Sequence, residues 1–332
     1  MNPFAYSRPA SLQAALTSTR RQAGSKFLGG GTNLVDLMKM GVEHPAALID
    51  VTRLPDSDIK EHGAGVRIGA MARNSLVAAH PLVRERFPVL SQALLAGASP
   101  QIRTMATVGG NLLQRTRCPY FYDHSYAECN KRSPNSGCAA IQGYSRMHAI
   151  LGGSERCIAT HPSDMAVALA ALDAIVQVEG PGGRRSIPMN DFHRLPGNTP
   201  QVETDLRPDE LITAVDLPMA SAFRSHYLKV RDRNSFAFAL VSVAVMIETD
   251  PDNSRIREAR IALGGVAPKP WRVRQAEELL RGKEPAESHY REAAEILVQN
   301  AKTTQYNAFK VELARRSIVR ALSAAANIMP SA

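Results

Sequence analysis

All four cysteines of this 332-residue chain, Cys118, Cys129, Cys138 and Cys157, fall in one stretch, and the remainder has none. Thiols confined in this way read as one site. The spacing is C-x10-C-x8-C-x18-C and lacks the close cysteine pairs of structural zinc. Disulfides are disfavoured, because the start, MNPFAYSRPASLQAAL, lacks the basic-then-apolar layout of a secretory signal. Iron–sulfur clusters take four thiolates from irregular loops. A metal would also order a long polar segment rich in Gly, Ser, Asn, Pro and Arg. On spacing alone a [4Fe–4S] cluster is preferred, with zinc and four inert buried thiols open as alternatives. His124, His148 and His161 are spare ligand candidates.

Two glycine loops accompany the cysteines. Gly29-Gly30-Gly31-Thr32-Asn33 lies between a strand pattern and a helix pattern, and Gly109-Gly110-Asn111 recurs shortly before the first cysteine. Glycine lets backbone N–H groups approach an anion, and a following helix start favours phosphate. Neither loop is G-x-G-x-x-G or a Walker loop, so neither a Rossmann nor a P-loop reading is supported. A tight turn explains either one alone. Together they suit the two phosphates of a dinucleotide cradled from opposite lobes.

The elements that must position these residues follow from periodicity. Ser11 is set to cap a helix over 12–20; 26–28 and 47–51 read as strands, and 33–40 as a helix stopped by Gly41. This resembles a small nucleotide-binding lobe. A second lobe begins near Leu54, with a strand over 66–69, helices over 75–79, 88–97 and 164–172, and a strand over 174–178. A third region begins near Ala220. Its segments 226–231, 236–248 and 260–265 alternate as an antiparallel sheet should. From Arg272 onward the pattern is helical, with Val311, Ala314, Ile318 and Leu322 forming one apolar stripe.

The formal charge is +9, but the basic pairs are scattered and no dense basic run with interleaved aromatics occurs. A solvated basic surface is the reading, an acidic partner comes next, and no nucleic-acid binding is expected. No run approaches the apolar length of a membrane span. The chain is expected to be made in the cytoplasm without its own signal, with export on a signal-bearing partner left open.

Lys26-Phe-Leu-Gly-Gly-Gly-Thr-Asn-Leu34 and Arg103-Thr-Met-Ala-Thr-Val-Gly-Gly-Asn111, together with His161-Pro-Ser-Asp164, Asp209 to Pro218, Tyr227-Leu-Lys229 and Ala262 to Ala267, resemble the FAD-binding medium subunit of the xanthine dehydrogenase family of molybdenum hydroxylases. The likeness covers nearly the whole chain. The stretch Leu113 to Tyr122 resembles the flavin subunit of bacterial aldehyde oxidoreductases acting on aromatic aldehydes. In most relatives the asparagine runs almost directly into the Ser-Asp motif. Here segment 113–160 intervenes, and it resembles the insertion that carries a [4Fe–4S] cluster in a subset of the family.

The resemblance implies an α+β fold: a two-lobed FAD-binding domain of the vanillyl-alcohol-oxidase (PCMH) type, 1–53 and 54–219, and a C-terminal antiparallel sheet-and-helix domain of the CO dehydrogenase flavoprotein type, 220–332. Lys26, Phe27, Leu28, Gly29, Gly30, Gly31, Thr32, Asn33 and Leu34 would wrap the FAD diphosphate. Ala106, Thr107, Gly110 and Asn111 would hold its other side. Asp164 would bond the ribityl or adenosine part, Ile212 would pack on the adenine end, and Lys229 would reach the flavin ring. Cys118, Cys129, Cys138 and Cys157 would ligate the [4Fe–4S] cluster. The first loop has glycine where relatives often carry larger residues, and no aromatic precedes Gly109 to shield the flavin.

The implied activity is electron transfer in an oxidoreductase complex. A large molybdenum-cofactor subunit would oxidise aldehydes to carboxylic acids, and a small [2Fe–2S] subunit would relay electrons to FAD here for an external acceptor. The assembly would be a heterotrimer or a dimer of it, and no catalytic side chain for the carbon chemistry is expected in this chain. Xanthine dehydrogenase-like and hydroxybenzoyl-CoA reductase-like complexes are alternatives. A stand-alone flavin reductase and a nucleic-acid-binding iron–sulfur protein are the rivals.

Overall fold

The computed structural model describes residues 1–326 apart from Asp56, Ala220 and Ser221, so the expected boundary at 219/220 meets residues outside those described. Three sheets follow one another along the chain. The first is parallel, with Ala47–Asp50 between Ala5–Ser7 and Ser25–Leu28. Helix Leu12–Arg21 packs on it, and Ser11 caps that helix by accepting the Ala14 N–H at 3.2 Å. The second sheet is antiparallel, in the order Ile59–His62, Gly65–Gly69, Leu211–Leu217, Ile175–Gly180, Gly183–Pro188. Its central strand returns from far along the chain, with the cysteine segment inserted before it.

The third sheet places Val241–Thr249 between Arg224–Val230 and Ile256–Gly264. Side chains alternate across a strand, and here both faces are buried. Ala244 and Met246 join the core of the second lobe. Val243, Val245 and Ile247 join a second core under helices Arg274–Leu280, Glu287–Val298 and Phe309–Ala325. The sheet is therefore shared between the two cores. Helix Asp164–Ala171 is buried along its whole length against it; its small side chains permit the close approach and fix Asp164 at its N-terminal end.

Segment 113–160 is mostly irregular, with single helical turns at Pro119–Tyr122 and Ala139–Gln142. It docks on the C-terminal domain through the N–H groups of Ile150 and Leu151, both bonded to the Val266 carbonyl. The strand expected over 236–248 begins only at Val241, because the chain turns at Phe236, whose φ of 49° is left-handed. Within the expected apolar stripe of the last helix, Ala314, Ile318 and Leu322 are fully buried and Val311 is partly so.

Lys310 is fully buried and makes no ion pair among the described residues; its Nζ donates to the carbonyls of His148 and Gly265. Burial, with the Arg146 charge adding, lowers its pKa from 10.5 to about 7. Between those values the unfolded chain holds a proton that the folded chain does not, so stability rises with pH there. The stability difference between wild type and Lys310→Met should therefore grow in favour of wild type from pH 7.5 to 9.5, with a slope of up to about 1.4 kcal/mol per pH unit. Urea unfolding at the two pH values measures it, and a pH-independent difference contradicts a buried neutral lysine.

Candidate cofactor site

The two glycine loops meet. Strand Ser25–Leu28 leads into Gly29, Gly30 and Gly31. Thr107 caps the short helix Val108–Leu112, its Oγ1 accepting the Gly110 N–H at 3.2 Å. A β-carbon on Gly30 would stand 1.9 Å from the Met105 carbonyl oxygen, and one on Gly29 would stand 2.7 Å from Thr107 Oγ1. The loops, one following a strand and the other opening a short helix, thus touch with no room for a side chain between them.

Two cavities open beside this contact, of about 580 and about 610 Å³, each of a size that suits half of a large cofactor. Thr32, Asn33 and Gly110 line both. Lys26, Phe27, Gly29, Gly30, Gly31, Leu34, Thr107 and Ile212 line the first. Ala106, Asn111, Asp164 and Lys229 line the second. Leu28 lines neither and packs toward Gly31 instead. The arrangement can take an extended anionic ligand across the glycine contact, with one end in each cavity.

Asp164 and Lys229 meet as a buried ion pair at 2.7 Å, their side chains 9% and 4% exposed. Tyr227 donates to the other Asp164 oxygen at 2.7 Å, and Lys229 also donates to the Ala96 carbonyl at 3.1 Å. Burial and the Asp164 charge hold the Tyr227 phenol well above its usual pKa. Lys229 therefore meets the cavity with its ammonium already paired to a carboxylate. Ser163 donates to Asn111 Oδ1 at 2.5 Å and caps helix Asp164–Ala171 through the Ala166 N–H, tying the second glycine loop to the start of that helix.

Several cavity residues were not anticipated from sequence. Phe236 and Phe238, both partly exposed, line the second cavity from the C-terminal domain and supply the aromatics absent before Gly109. Arg117 reaches across from the cysteine segment to Asp36 and the Tyr122 hydroxyl, at 2.9 and 2.6 Å. Tyr122 thereby faces the first glycine loop, whereas Phe121 is buried beside Cys129 and Leu37. Charge spacing in 113–131 gave no sign of the Arg117–Asp36 contact, whose partners stand 81 residues apart.

The expected ligand set of Cys118, Cys129, Cys138 and Cys157 is not formed as such. Among the described residues no group of three or more His, Cys, Asp or Glu side chains stands ready to hold a metal ion. All four thiols are free, and all four line one cavity of about 10 Å³, room for about one water. Cys129 and Cys138 face one another across an antiparallel bridge. Cys138 and Cys157 are paired by a thiol hydrogen bond, which pushes the Cys138 pKa down and that of Cys157 up. Burial raises Cys118 to about 12. His148 Nε2 lies 3.1 Å from Cys118 Sγ, and burial, with the nearby Lys310 charge, lowers its pKa to about 4. His161 packs against His193 with ring centroids 4.1 Å apart and planes tilted by 47°, and His124 approaches Gly41, so neither belongs to the thiol cavity.

The profile described as the FAD binding domain in molybdopterin dehydrogenase matches residues 2–220, and that of the CO dehydrogenase flavoprotein C-terminal domain matches residues 226–325. With the paired glycine loops and the two-cavity cleft, these matches place the chain in the family of FAD-binding medium subunits of molybdenum hydroxylases, an oxidoreductase family. It is 52% identical to the aldehyde oxidoreductase FAD-binding subunit PaoB of Escherichia coli (strain K12), over 98% of this chain and 99% of that one. It is 28% identical to the glyceraldehyde dehydrogenase medium chain of Sulfolobus acidocaldarius, over 81% of this chain and 78% of that one. Among solved structures, carbon monoxide dehydrogenase from Hydrogenophaga pseudoflava lacking the Mo-pyranopterin moiety superposes with a TM-score of 0.76 at 26% identity, over 98% of both chains. Quinoline 2-oxidoreductase from Pseudomonas putida 86 shares the fold, with a TM-score of 0.75 at 23% identity and 98% of both chains covered.

Gly30→Ala should lower stability by about 3 kcal/mol, because the added methyl meets backbone that cannot move aside, and should reduce bound FAD. Gly63→Ala is the control: its φ is +57° but no atom lies within 4 Å of the added carbon, so it should lower stability while leaving FAD content unchanged. Thermal melts and flavin absorbance measure both.

Proposed function

We propose that this chain is the electron-transferring flavin subunit of a molybdenum-containing aldehyde oxidoreductase. The observation that supports it most directly is the 52% identity, end to end, with the FAD-binding subunit of an aldehyde oxidoreductase. Relatives named for carbon monoxide, nicotine and caffeine match at 24–28% identity. One subunit type thus accompanies many substrates, which fits substrate selection by another chain. The proposed partners are a large molybdenum-cofactor subunit and a small [2Fe–2S] subunit, in a heterotrimer or a dimer of it. No helix among the described residues is long and apolar enough to cross a membrane, and export with a signal-bearing partner is part of the proposal. The units 1–53, 54–219 and 220–332 are its proposed domains.

Bound FAD accepts electrons singly and passes them on singly or as a hydride. The chain's own residues hold and insulate it. Gly29, Gly30, Gly31 and Gly110 leave backbone accessible to the diphosphate, and Ile212 packs on the adenine end. Thr32, Asn33, Ala106, Thr107 and Asn111 line the passage between the halves. Lys229, steadied by Asp164, offers a cation to the flavin ring, and Phe236 and Phe238 exclude water from it. Cys118, Cys129, Cys138 and Cys157 are proposed as the ligands of a [4Fe–4S] cluster. Four thiols on one cavity wall support that reading, together with backbone N–H groups of Tyr120 and Phe121 directed at Cys118 and of Ala140, Ile141 and Ile158 at Cys138. The structural zinc alternative would need closely spaced ligand pairs.

The purified complex should carry about one FAD and about four iron atoms per copy of this chain beyond those of the [2Fe–2S] partner. It should oxidise an aromatic aldehyde with an added electron acceptor. Flavin without the additional iron contradicts the cluster. Turnover of purines or N-heterocycles, but not aldehydes, contradicts the substrate class.

A further inference from the structure

The two halves of the cleft differ in how their charges are matched. On the wall of the first cavity Lys26, Glu43, Arg115, Glu203 and Lys131 form one chain of ion pairs in alternating sign, so each of them has a partner. Three acidic side chains line the second cavity, and each is already paired: Asp36 with Arg117 at 2.9 Å, Asp164 with Lys229 at 2.7 Å and Asp232 with Arg146 at 2.8 Å. Two arginines on the same wall, Arg103 and Arg233, have no carboxylate partner among the described residues. Arg233 is exposed and bonds the Phe236 carbonyl of its own loop. Arg103 is half-buried. The second cavity therefore carries positive charge that its carboxylates do not balance.

Arg103 is held firmly from the protein side. Its Nη1 donates to the Gly97 carbonyl at 2.7 Å and to the Leu95 carbonyl at 3.3 Å. Those carbonyls close helix Pro88–Ala96, and the Ala96 carbonyl accepts from Lys229 and Arg231 at 3.1 and 2.9 Å. A helix C-terminus carries partial negative charge, and three cations gather on this one. Capping occupies one nitrogen of Arg103; Nε and Nη2 make no hydrogen bond among the described residues. Burial lowers the Arg103 pKa, with no carboxylate to oppose it. Its own short helix, Pro100–Met105, runs directly into Ala106 and Thr107 of the second glycine loop. A cation without a counter-charge from the chain suits a ligand that brings one.

A flavin ring becomes anionic when two electrons arrive with one proton, and a second proton cancels that charge. We propose that Arg103 supplies the positive charge that holds the reduced flavin ring in its anionic form. The proposal deepens the reading of this cavity as the site of the flavin ring and rests on it. Lys229 reaches the ring with Asp164 beside it, so its charge is offset by a carboxylate. Arg103 has no such neighbour, and its charge acts on the ring undiminished by an ion pair. A more stable reduced anion raises the two-electron potential, so the ring accepts electrons from the proposed [2Fe–2S] partner more readily.

The test uses the full chain with bound FAD, titrated between oxidised and reduced states at an electrode with mediator dyes and followed by flavin absorbance across a range of pH. Two quantities are read: the pH at which the reduced ring takes its second proton, and the midpoint potential above that pH. Arg103→Gln should raise that pH by about one unit, a tenfold weakening of the anion, and lower the potential by about 30 mV. Arg103→Lys keeps the charge and should stay within about twofold of wild type. If the glutamine variant holds no flavin, wild type still decides: its reduced FAD should take the second proton at a lower pH than free FAD under the same conditions. A wild-type pH and potential in Arg103→Gln, even with a lower melting temperature or FAD content, overturns the proposal alone. So does a protonation pH in wild type at or above that of free FAD. A wild-type chain that binds no FAD overturns the flavin reading and the proposal with it.

Discussion

Everything in the cleft depends on one steric fact: the two glycine loops touch where no β-carbon fits. Gly30 abuts the Met105 carbonyl and Gly29 abuts Thr107. A parallel sheet carries one loop, and a short capped helix beside an antiparallel sheet carries the other. Their contact sets the spacing of the lobes and leaves a cavity on each side. Larger side chains there would part the lobes and merge the cavities into an open groove. Glycine costs conformational entropy on folding. That cost is repaid in shape, because the backbone itself becomes the floor on which a diphosphate can lie.

Around that floor, charge takes over from shape. The first cavity is walled by the ion-pair chain from Lys26 to Lys131 and the second by the Asp164–Lys229 pair. Buried ion pairs are weak evidence for stability, since desolvation offsets attraction. They hold orientation, and these pairs aim cations at places where an anionic cofactor is expected. The cysteine segment takes part in this wall through Arg115, Arg117 and Tyr122, although its thiols lie in a separate cavity. A cavity of about 110 Å³, lined by Cys118, His148, Asp164 and Phe238, lies between the thiols and the second half of the cleft. Thiol site and flavin site are therefore neighbours in packing as well as in sequence.

Much of this was legible in the sequence where the signal is local. Ser11 caps its helix, Gly41 with its φ of +73° ends the next one, and the strand over 26–28 reaches the glycine loop as expected. The family resemblance, carried by the two glycine motifs, fixed the fold class and the cofactor. What stayed hidden is non-local. Leu211–Leu217 crosses the middle of the second sheet, but its partners lie far off along the chain, in 65–69 and 175–180. The pairing of Lys229 with Asp164 spans 65 residues and that of Arg115 with Glu203 spans 88. No periodicity encodes such contacts. The turn at Phe236 defeated the alternation rule, because an apolar residue there lines a cavity mouth and does not continue the strand.

Hydrogen–deuterium exchange of the full chain with and without FAD tests the central claim most directly. One dinucleotide held across the loop contact should slow exchange in 26–34 and 106–111 together, with protection extending to 113–131 on the cysteine segment. Protection confined to one loop, or none in either, would contradict a cofactor bound between the lobes.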